Sequence, residues 1–189
     1  MGSDLQELYR RACERYGEHV HAISNDQWTG STPCTEWDVR TLVGHLITEV
    51  AWVPPLMNGR SVAEVGQELS GDLIGEDPAA SWDRYAPASI ESVGEPGALE
   101  RTVRLTKREL PATDYVSEVF VDLLIHGWDL ARAIGADETL DPESVEIVYE
   151  RMKPHEAELN SSGVFGSHIE PAEGADLQTR LLAVFGRTA

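Results

Sequence analysis

The chain has 189 residues, of which 41% are hydrophobic, and a formal net charge of −18. This length suits one domain, or one domain with a small appendage, and a single domain over residues 1–189 is predicted. A chain of this length can bury a core without disulfide or metal staples. The negative charge disfavours nucleic acid and anionic membranes as partners, because their phosphates would be repelled. High acidity is typical of soluble proteins and does not by itself point to a substrate.

Cysteine usage and hydropathy predict a cytoplasmic protein. Cys13 and Cys34 are too few for a disulfide scaffold and do not form a CxxC pair, so a reduced compartment is expected. No apolar run approaches the roughly 20 residues of a membrane helix, and the N-terminus lacks the pattern of a signal peptide. Cys34 precedes a predicted helix start, where a thiolate could be stabilised.

Helical periodicity dominates the first third of the chain. Apolar residues recur at helical spacing from about residue 4 to residue 23. A second helix is predicted over Thr35–Val53, with Thr35 as the N-cap. The dipeptide Pro54-Pro55 is expected to end or kink this helix.

The middle of the chain contains the strongest helix. Residues 61–69 are compatible with a short helix, and Asp77-Pro78 opens another that runs to about Val93. Residues 99–105 alternate imperfectly and predict a strand or an extended loop. The clearest apolar stripe predicts a helix over 114–134, closed by a C-terminal glycine at Gly135.

The last third of the chain adds two helices. Asp141-Pro142 opens a helix to about Leu159, which Pro154 could shorten. Residues 160–174 are predicted as loop and 176–185 as a final short helix. Helices therefore dominate, and a mainly α bundle with long crossover connections and short additional helices is the simplest packing.

Two of these helices carry polar residues on matching flanks of their apolar stripes. His45 and Glu49 lie together on the second helix, and Asp122 and His126 lie together on the helix over 114–134. Residues four apart on a helix have Cβ atoms roughly 5–6 Å apart, so each pair can meet.

One carboxylate and one imidazole from adjacent turns, joined by an imidazole from a facing helix, are a suitable ligand set for a catalytic metal. Zinc fits this set, but ligand type alone leaves non-haem iron, nickel and manganese open. A surface salt bridge between Asp122 and His126 explains the same spacing without any metal.

The other histidines and the tryptophans carry weaker signals. His19 and His21 are expected on a solvated face, and neither His155 nor His168 has ligand spacing. Three tryptophans flank the predicted site and suit either core packing or the wall of a ligand pocket: Trp37, Trp52 and Trp128.

Several segments together resemble one protein family. TPCTEWDV at residues 32–39, LVGHL at 42–46 and DLLIHGWDLA at 122–131 are similar to the mycothiol-dependent maleylpyruvate isomerase N-terminal family of actinobacteria. Residues 109–112 and 181–187 are similar to it as well, so the resemblance covers nearly the whole chain. The family belongs to the DinB-like four-helix-bundle metalloproteins.

The resemblance implies a divalent metal, usually zinc, held by His45, Asp122 and His126. It also implies thiol chemistry with mycothiol as cosubstrate, in which the metal activates the thiol. Little chain follows the bundle, so the additional C-terminal domain of the isomerase is expected to be absent. Maleylpyruvate itself is therefore not predicted as the substrate.

Three functions follow from these observations. The first is a metal-dependent thiol S-transferase or isomerase, with Glu49 as the catalytic proton carrier or the group that orients a ligand. The second is a metal- or small-molecule-binding module without turnover, and the third is an interaction protein that has lost its metal. A small-molecule substrate and a thiol are the expected partners of the enzyme, and the sequence leaves a homodimer open.

Overall fold

A computed structural model describes residues 2–155 and 169–189. The chain divides into two compact units, residues 1–137 and 138–189. Within the described residues the structure contains seven α-helices and one two-stranded sheet, which confirms the mainly α prediction. The single domain predicted over residues 1–189 stays a prediction.

The first unit contains five helices and a hairpin. In chain order these are α1 (Gly2–Ala22), α2 (Val39–Met57), α3 (Val62–Glu68), α4 (Pro78–Gly94), β1 (Thr102–Arg104), β2 (Glu109–Pro111) and α5 (Ala112–Ile134). The four long helices form a closed ring of contacts, in which α1 packs on α4, α4 on α2, α2 on α5 and α5 on α1. This is a four-helix bundle, and it makes α2 and α5 neighbours.

The bundle core is built from the apolar stripes. Val39, Leu42, Leu46 and Val50 of α2 are completely buried. On α5, Val116 and Ile125 are equally inaccessible. Because both helices bury their stripes against the same core, the flanks beside those stripes face each other across the α2–α5 contact.

The start of α2 differs from the prediction. Its N-cap is Asp38, whose carboxylate accepts hydrogen bonds from the Thr41 amide at 2.8 Å and the Thr41 hydroxyl at 2.6 Å. Thr35 lies in a preceding turn, where the Trp37 amide donates to the carbonyl of Cys34 at 2.8 Å. Aspartate at this position satisfies an orphan amide of the first helical turn, so the predicted cap at Thr35 was wrong by three residues.

The end of α2 also differs. Both Pro54 and Pro55 lie inside the helix, which continues to Met57. The Asn58 amide donates to the carbonyls of Leu56 and Pro54 and caps the last turn. The helix therefore passes through the prolines and ends a turn later than predicted.

The segment between α4 and α5 is a hairpin. Its two strands pair antiparallel, with Thr102 opposite Pro111 and Arg104 opposite Glu109. The strand prediction over 99–105 is confirmed in its centre, whereas residues 98–100 form a short 3-10 helix. The second strand leads directly into α5, which begins at Ala112 and ends at Ile134. Gly135 is its C-cap, in the left-handed conformation with φ of 70°, which confirms the predicted closing glycine.

The second unit contains α6 (Pro142–Met152), a short 3-10 helix (Lys153–His155) and α7 (Leu177–Val184). Asp141 and Asp176 cap the two α-helices with their carboxylates. Helix α6 is shorter than predicted, in keeping with Pro154. The predicted extension over 156–159 and the loop over 160–168 lie outside the described residues.

Candidate metal centre

His45, Asp122 and His126 come together between α2 and α5. His45 Nε2 lies 3.5 Å from Asp122 Oδ2. The two imidazole rings stand nearly perpendicular at 86°, with their centroids 5.3 Å apart. One ligand atom from each of the three residues lies within 4.8 Å of the other two.

The spacing and exposure of these atoms fit a divalent cation. Tetrahedral zinc with bonds of about 2.0–2.2 Å to nitrogen and oxygen separates two such ligands by about 3.4 Å. The observed 3.5 Å between His45 and Asp122 is close to that value. Both side chains are 27% exposed, so the site is accessible from solvent. That the three residues bind a metal stays a prediction.

Glu49 lies one helical turn beyond His45 and is half-buried. Burial raises the pKa of the Glu49 carboxyl, and the negative charges of Asp122 and Glu118 raise it further, whereas His45 opposes the shift. The catalytic role of Glu49 stays a prediction.

Trp37 forms one wall of the site. Its ring centroid lies 4.9 Å from that of His45 and 5.6 Å from that of His126. The other two predicted tryptophans have different surroundings. Trp52 lies against α3, where a Cβ on Gly66 would come within 3.5 Å of its ring, and Trp128 is buried in the core with Arg132 over its ring at 4.3 Å.

Asp129 and Cys34 contact the opposite edge of His126. His126 Nδ1 lies 2.9 Å from Asp129 Oδ2, and because a carboxylate accepts, the ring nitrogen must donate. Cys34 Sγ donates to the same oxygen at 3.3 Å and lies 3.7 Å from His126 Nδ1. This arrangement leaves His126 Nε2 as the ring nitrogen available to a cation.

Neither Cys34 nor Asp129 was predicted as part of the site. Asp129 follows His126 by three residues, so the helical spacing could have shown their contact. Its complete burial could not be read from the sequence, which places it on the polar edge of α5. Cys34 reaches the site because the turn before α2 folds over α5.

Comparison with known proteins identifies the family. Residues 9–131 match the model of the mycothiol maleylpyruvate isomerase N-terminal domain. The chain belongs to this family. The match spans α1 to most of α5, and it includes the three predicted ligands together with Cys34, Glu49 and Asp129.

Relatives of this family member cover most of its length. Two uncharacterized proteins of Mycobacterium tuberculosis, from strains CDC 1551 / Oshkosh and H37Rv, are each 28% identical over 141 residues, which is 71% of this chain and 70% of theirs. A crystal structure of a histidine-to-alanine mutant of the mycothiol-dependent maleylpyruvate isomerase superposes with a TM-score of 0.60. That match has 15% identity and covers 85% of this chain and 70% of the isomerase, and it confirms the DinB-like bundle fold.

The remaining histidines of this family member lie elsewhere. His21 is exposed and contacts Asp83 at 2.9 Å, as expected for a solvated face. His19 is buried, contrary to the prediction, because it lies on the inner side of α1, and burial lowers its pKa. The side chain of His155 and all of His168 lie outside the described residues.

Within the described residues, no helix is both long enough and apolar enough to span a membrane.

Proposed function

We propose that this family member binds a divalent cation, zinc, through His45, Asp122 and His126, and uses it to activate mycothiol in a mycothiol-dependent S-transfer or isomerisation reaction. The observation that carries the proposal is the convergence of two imidazoles and one carboxylate from separate helices. The family match supports a thiol as partner, because the family is named for a mycothiol-dependent isomerase.

A cation at this site would lower the pKa of a bound thiol and supply a thiolate nucleophile at neutral pH. The proposed reactions are addition of that thiolate to an electrophilic double bond, or displacement of a leaving group. His45 and Asp122 are each 27% exposed, so a thiol can reach their side chains from solvent. Trp37 supplies an apolar surface beside both imidazoles for the organic part of a ligand.

Glu49 is the proposed proton carrier. Addition of a thiolate to a conjugated double bond leaves negative charge on the substrate, which a proton must neutralise. Burial and the neighbouring carboxylates raise the pKa of the Glu49 carboxyl, although His45 opposes the shift, and a carboxyl at this position can donate and accept that proton. In the reverse direction the same carboxylate would take the proton back.

Asp129 is the proposed positioning residue. It accepts from His126 Nδ1 and thereby fixes the tautomer whose Nε2 can bind a cation. Its complete burial and its bond to Cys34 hold the carboxylate in one place. His126 is itself only 6% exposed, so its ring orientation is set by these contacts and by Trp37.

The alternative is a metal- or small-molecule-binding protein without turnover, which would use the same site. Cytoplasmic location and the homodimer left open by the sequence remain predictions.

Metal analysis of purified protein tests the cation. We expect wild-type chain to retain at least one cation per molecule after dialysis and His126→Ala to retain none, because two ligands alone do not complete a zinc site. His21→Ala is the matched control, since that histidine is exposed and pairs with Asp83. Equal and negligible metal in all three proteins would reject the site.

A conjugation assay tests turnover. Zinc-loaded protein is incubated with mycothiol and a panel of maleyl-type and alkyl electrophiles, and products are followed by mass spectrometry. We expect a conjugate or a rearranged product with wild type and a strongly slowed reaction with Glu49→Gln, which keeps shape but cannot cycle a proton. Thiol binding by calorimetry without any product would favour the binding module instead.

A further inference from the structure

A second cluster of ligand-type atoms lies on the far edge of the His126 ring. It consists of Cys34 Sγ, His126 Nδ1 and Asp129 Oδ2, and it comes from the turn before α2 and from α5. We propose that these three atoms form a second cation site, for a thiophilic divalent ion, which shares His126 with the first site.

The distances within the cluster fit a small tetrahedral ion. A zinc-sized ion with bonds of about 2.3 Å to sulfur and about 2.0–2.2 Å to nitrogen and oxygen spaces its ligands about 3.4–3.6 Å apart. The sulfur lies 3.7 Å from the nitrogen and 3.3 Å from the oxygen. The nitrogen and oxygen, now 2.9 Å apart in a hydrogen bond, would need to separate by a few tenths of an ångström.

The donor atoms distinguish this site from the first. His45, Asp122 and His126 offer nitrogen and oxygen, whereas the Cys34 cluster adds a sulfur. Thiolate ligands select soft and borderline cations over hard ones. A cation such as Co²⁺, Zn²⁺ or Cd²⁺ is therefore expected here, and Mg²⁺ or Ca²⁺ is not.

Burial and charge also suit a bound cation. Asp129 is completely buried and His126 nearly so, while Cys34 is partly exposed and gives an entry side. A cation would place positive charge directly against the buried Asp129 carboxylate. Burial removes water from this carboxylate, and the positive charge would offset the free-energy cost of that desolvation.

Binding at this site exchanges protons for metal. The Sγ–H proton of Cys34 and the Nδ1–H proton of His126 pass to solvent as the two metal bonds form. The hydrogen bond from His126 to Asp129 is replaced by a shared cation. This inference does not require a cation in the first site, because Cys34 and Asp129 are not ligands there. With both sites filled, His126 would bridge the two ions through Nε2 and Nδ1, and the cation would take over the positioning contact that the hydrogen bond to Asp129 supplies.

Cobalt titration of the metal-free full chain under reducing conditions tests the inference. We expect CoCl₂ to produce a near-ultraviolet thiolate-to-cobalt charge-transfer band in wild type. His45→Ala, which disables only the first site, should keep the band, and Cys34→Ser should lose it. Cys13→Ser is the matched control and should keep it, since Cys13 is buried in the core away from the cluster.

A second measurement uses the wild-type chain alone, in case Cys34→Ser fails to fold. CdCl₂ should protect Cys34 from alkylation by iodoacetamide, with peptide mass spectrometry reporting each cysteine. We expect the rate at Cys34 to fall at least tenfold, whereas the buried Cys13 stays unreactive with or without cadmium. Absence of the band in wild type, its survival in Cys34→Ser, or unchanged alkylation of Cys34 would each overturn the second site.

Discussion

His126 has functional neighbours on both edges of its ring. On one side are His45 and Asp122, which complete the proposed cation site. On the other are Asp129 and Cys34, which engage Nδ1. A histidine that binds metal through one nitrogen commonly donates from the other to a carboxylate, and this partner orients the ring and increases its basicity.

The hydrogen bond from His126 to Asp129 has a measurable consequence. Asp129→Asn keeps the size of the side chain but removes the negative charge that orients the imidazole. We expect the affinity for zinc to fall about 10–100-fold, as for other outer partners of metal-binding histidines, with little change in helix content. Competition with a zinc-binding dye measures the affinity, and circular dichroism measures the helix content.

Asp83→Asn is the control for this substitution. Asp83 is also an aspartate in contact with a histidine, but it is exposed and its partner is His21, which is not a predicted ligand. Unchanged zinc affinity in Asp129→Asn would show that Asp129 is a structural residue without influence on the cation.

Spacing alone predicts part of this constellation. The four-residue separation of Asp122 and His126 and the matching flank of His45 predict their convergence, because each lies beside a stripe that must be buried. Cys34 is 92 residues from His126 along the chain, and only the tertiary fold brings them together. The burial of Asp129 likewise depends on the turn that covers it.

At the scale of elements, the position of the α2 N-terminus decides what surrounds the site. Because α2 begins at Val39, the residues just before it form a turn and are not part of the helix. Thr32 stabilises this turn by donating to the Trp37 carbonyl at 2.8 Å and accepting from the Cys34 amide at 3.1 Å. The turn thereby holds Trp37 against the two imidazoles and Cys34 against Asp129.

The two possible caps of α2 can be compared directly. Asp38→Ala removes the carboxylate that accepts from the Thr41 amide, and we expect it to lower the free energy of unfolding by about 0.5–2 kcal/mol. Thr35→Ala, at an exposed position in the preceding turn, should change it by less than about 0.5 kcal/mol. Urea unfolding followed by circular dichroism measures both, and an equal cost for the two would contradict the assigned cap.

The sequence predicts long elements better than short ones. Helix α5 and its closing Gly135 were predicted within two residues, because a long apolar stripe and a C-terminal glycine act together. The strands of the hairpin have three residues each, too few for an alternating pattern to be recognised, and β2 was not predicted. Pro54 and Pro55 were expected to end or kink α2, but both lie inside the helix, which continues to Met57.

At the scale of the whole molecule, the four-helix ring explains why one family fold can hold such a site. The ring places α2 beside α5. In the sequence, 54 residues lie between Met57, where α2 ends, and Ala112, where α5 begins. The net charge of −18 attracts cations to the surface, and the carboxylate of Asp122 adds negative charge at the site. Fold, family and charge are therefore consistent with a bound cation.

In the proposed function, a cation lies between His45, Asp122 and His126. Crystals of zinc-loaded protein, measured on either side of the zinc absorption edge, test this through the anomalous difference map. We predict a peak about 2.0–2.2 Å from one ligand atom of each of these three residues. A map with no peak there, or with its only peak at Cys34 and Asp129, would contradict the claim.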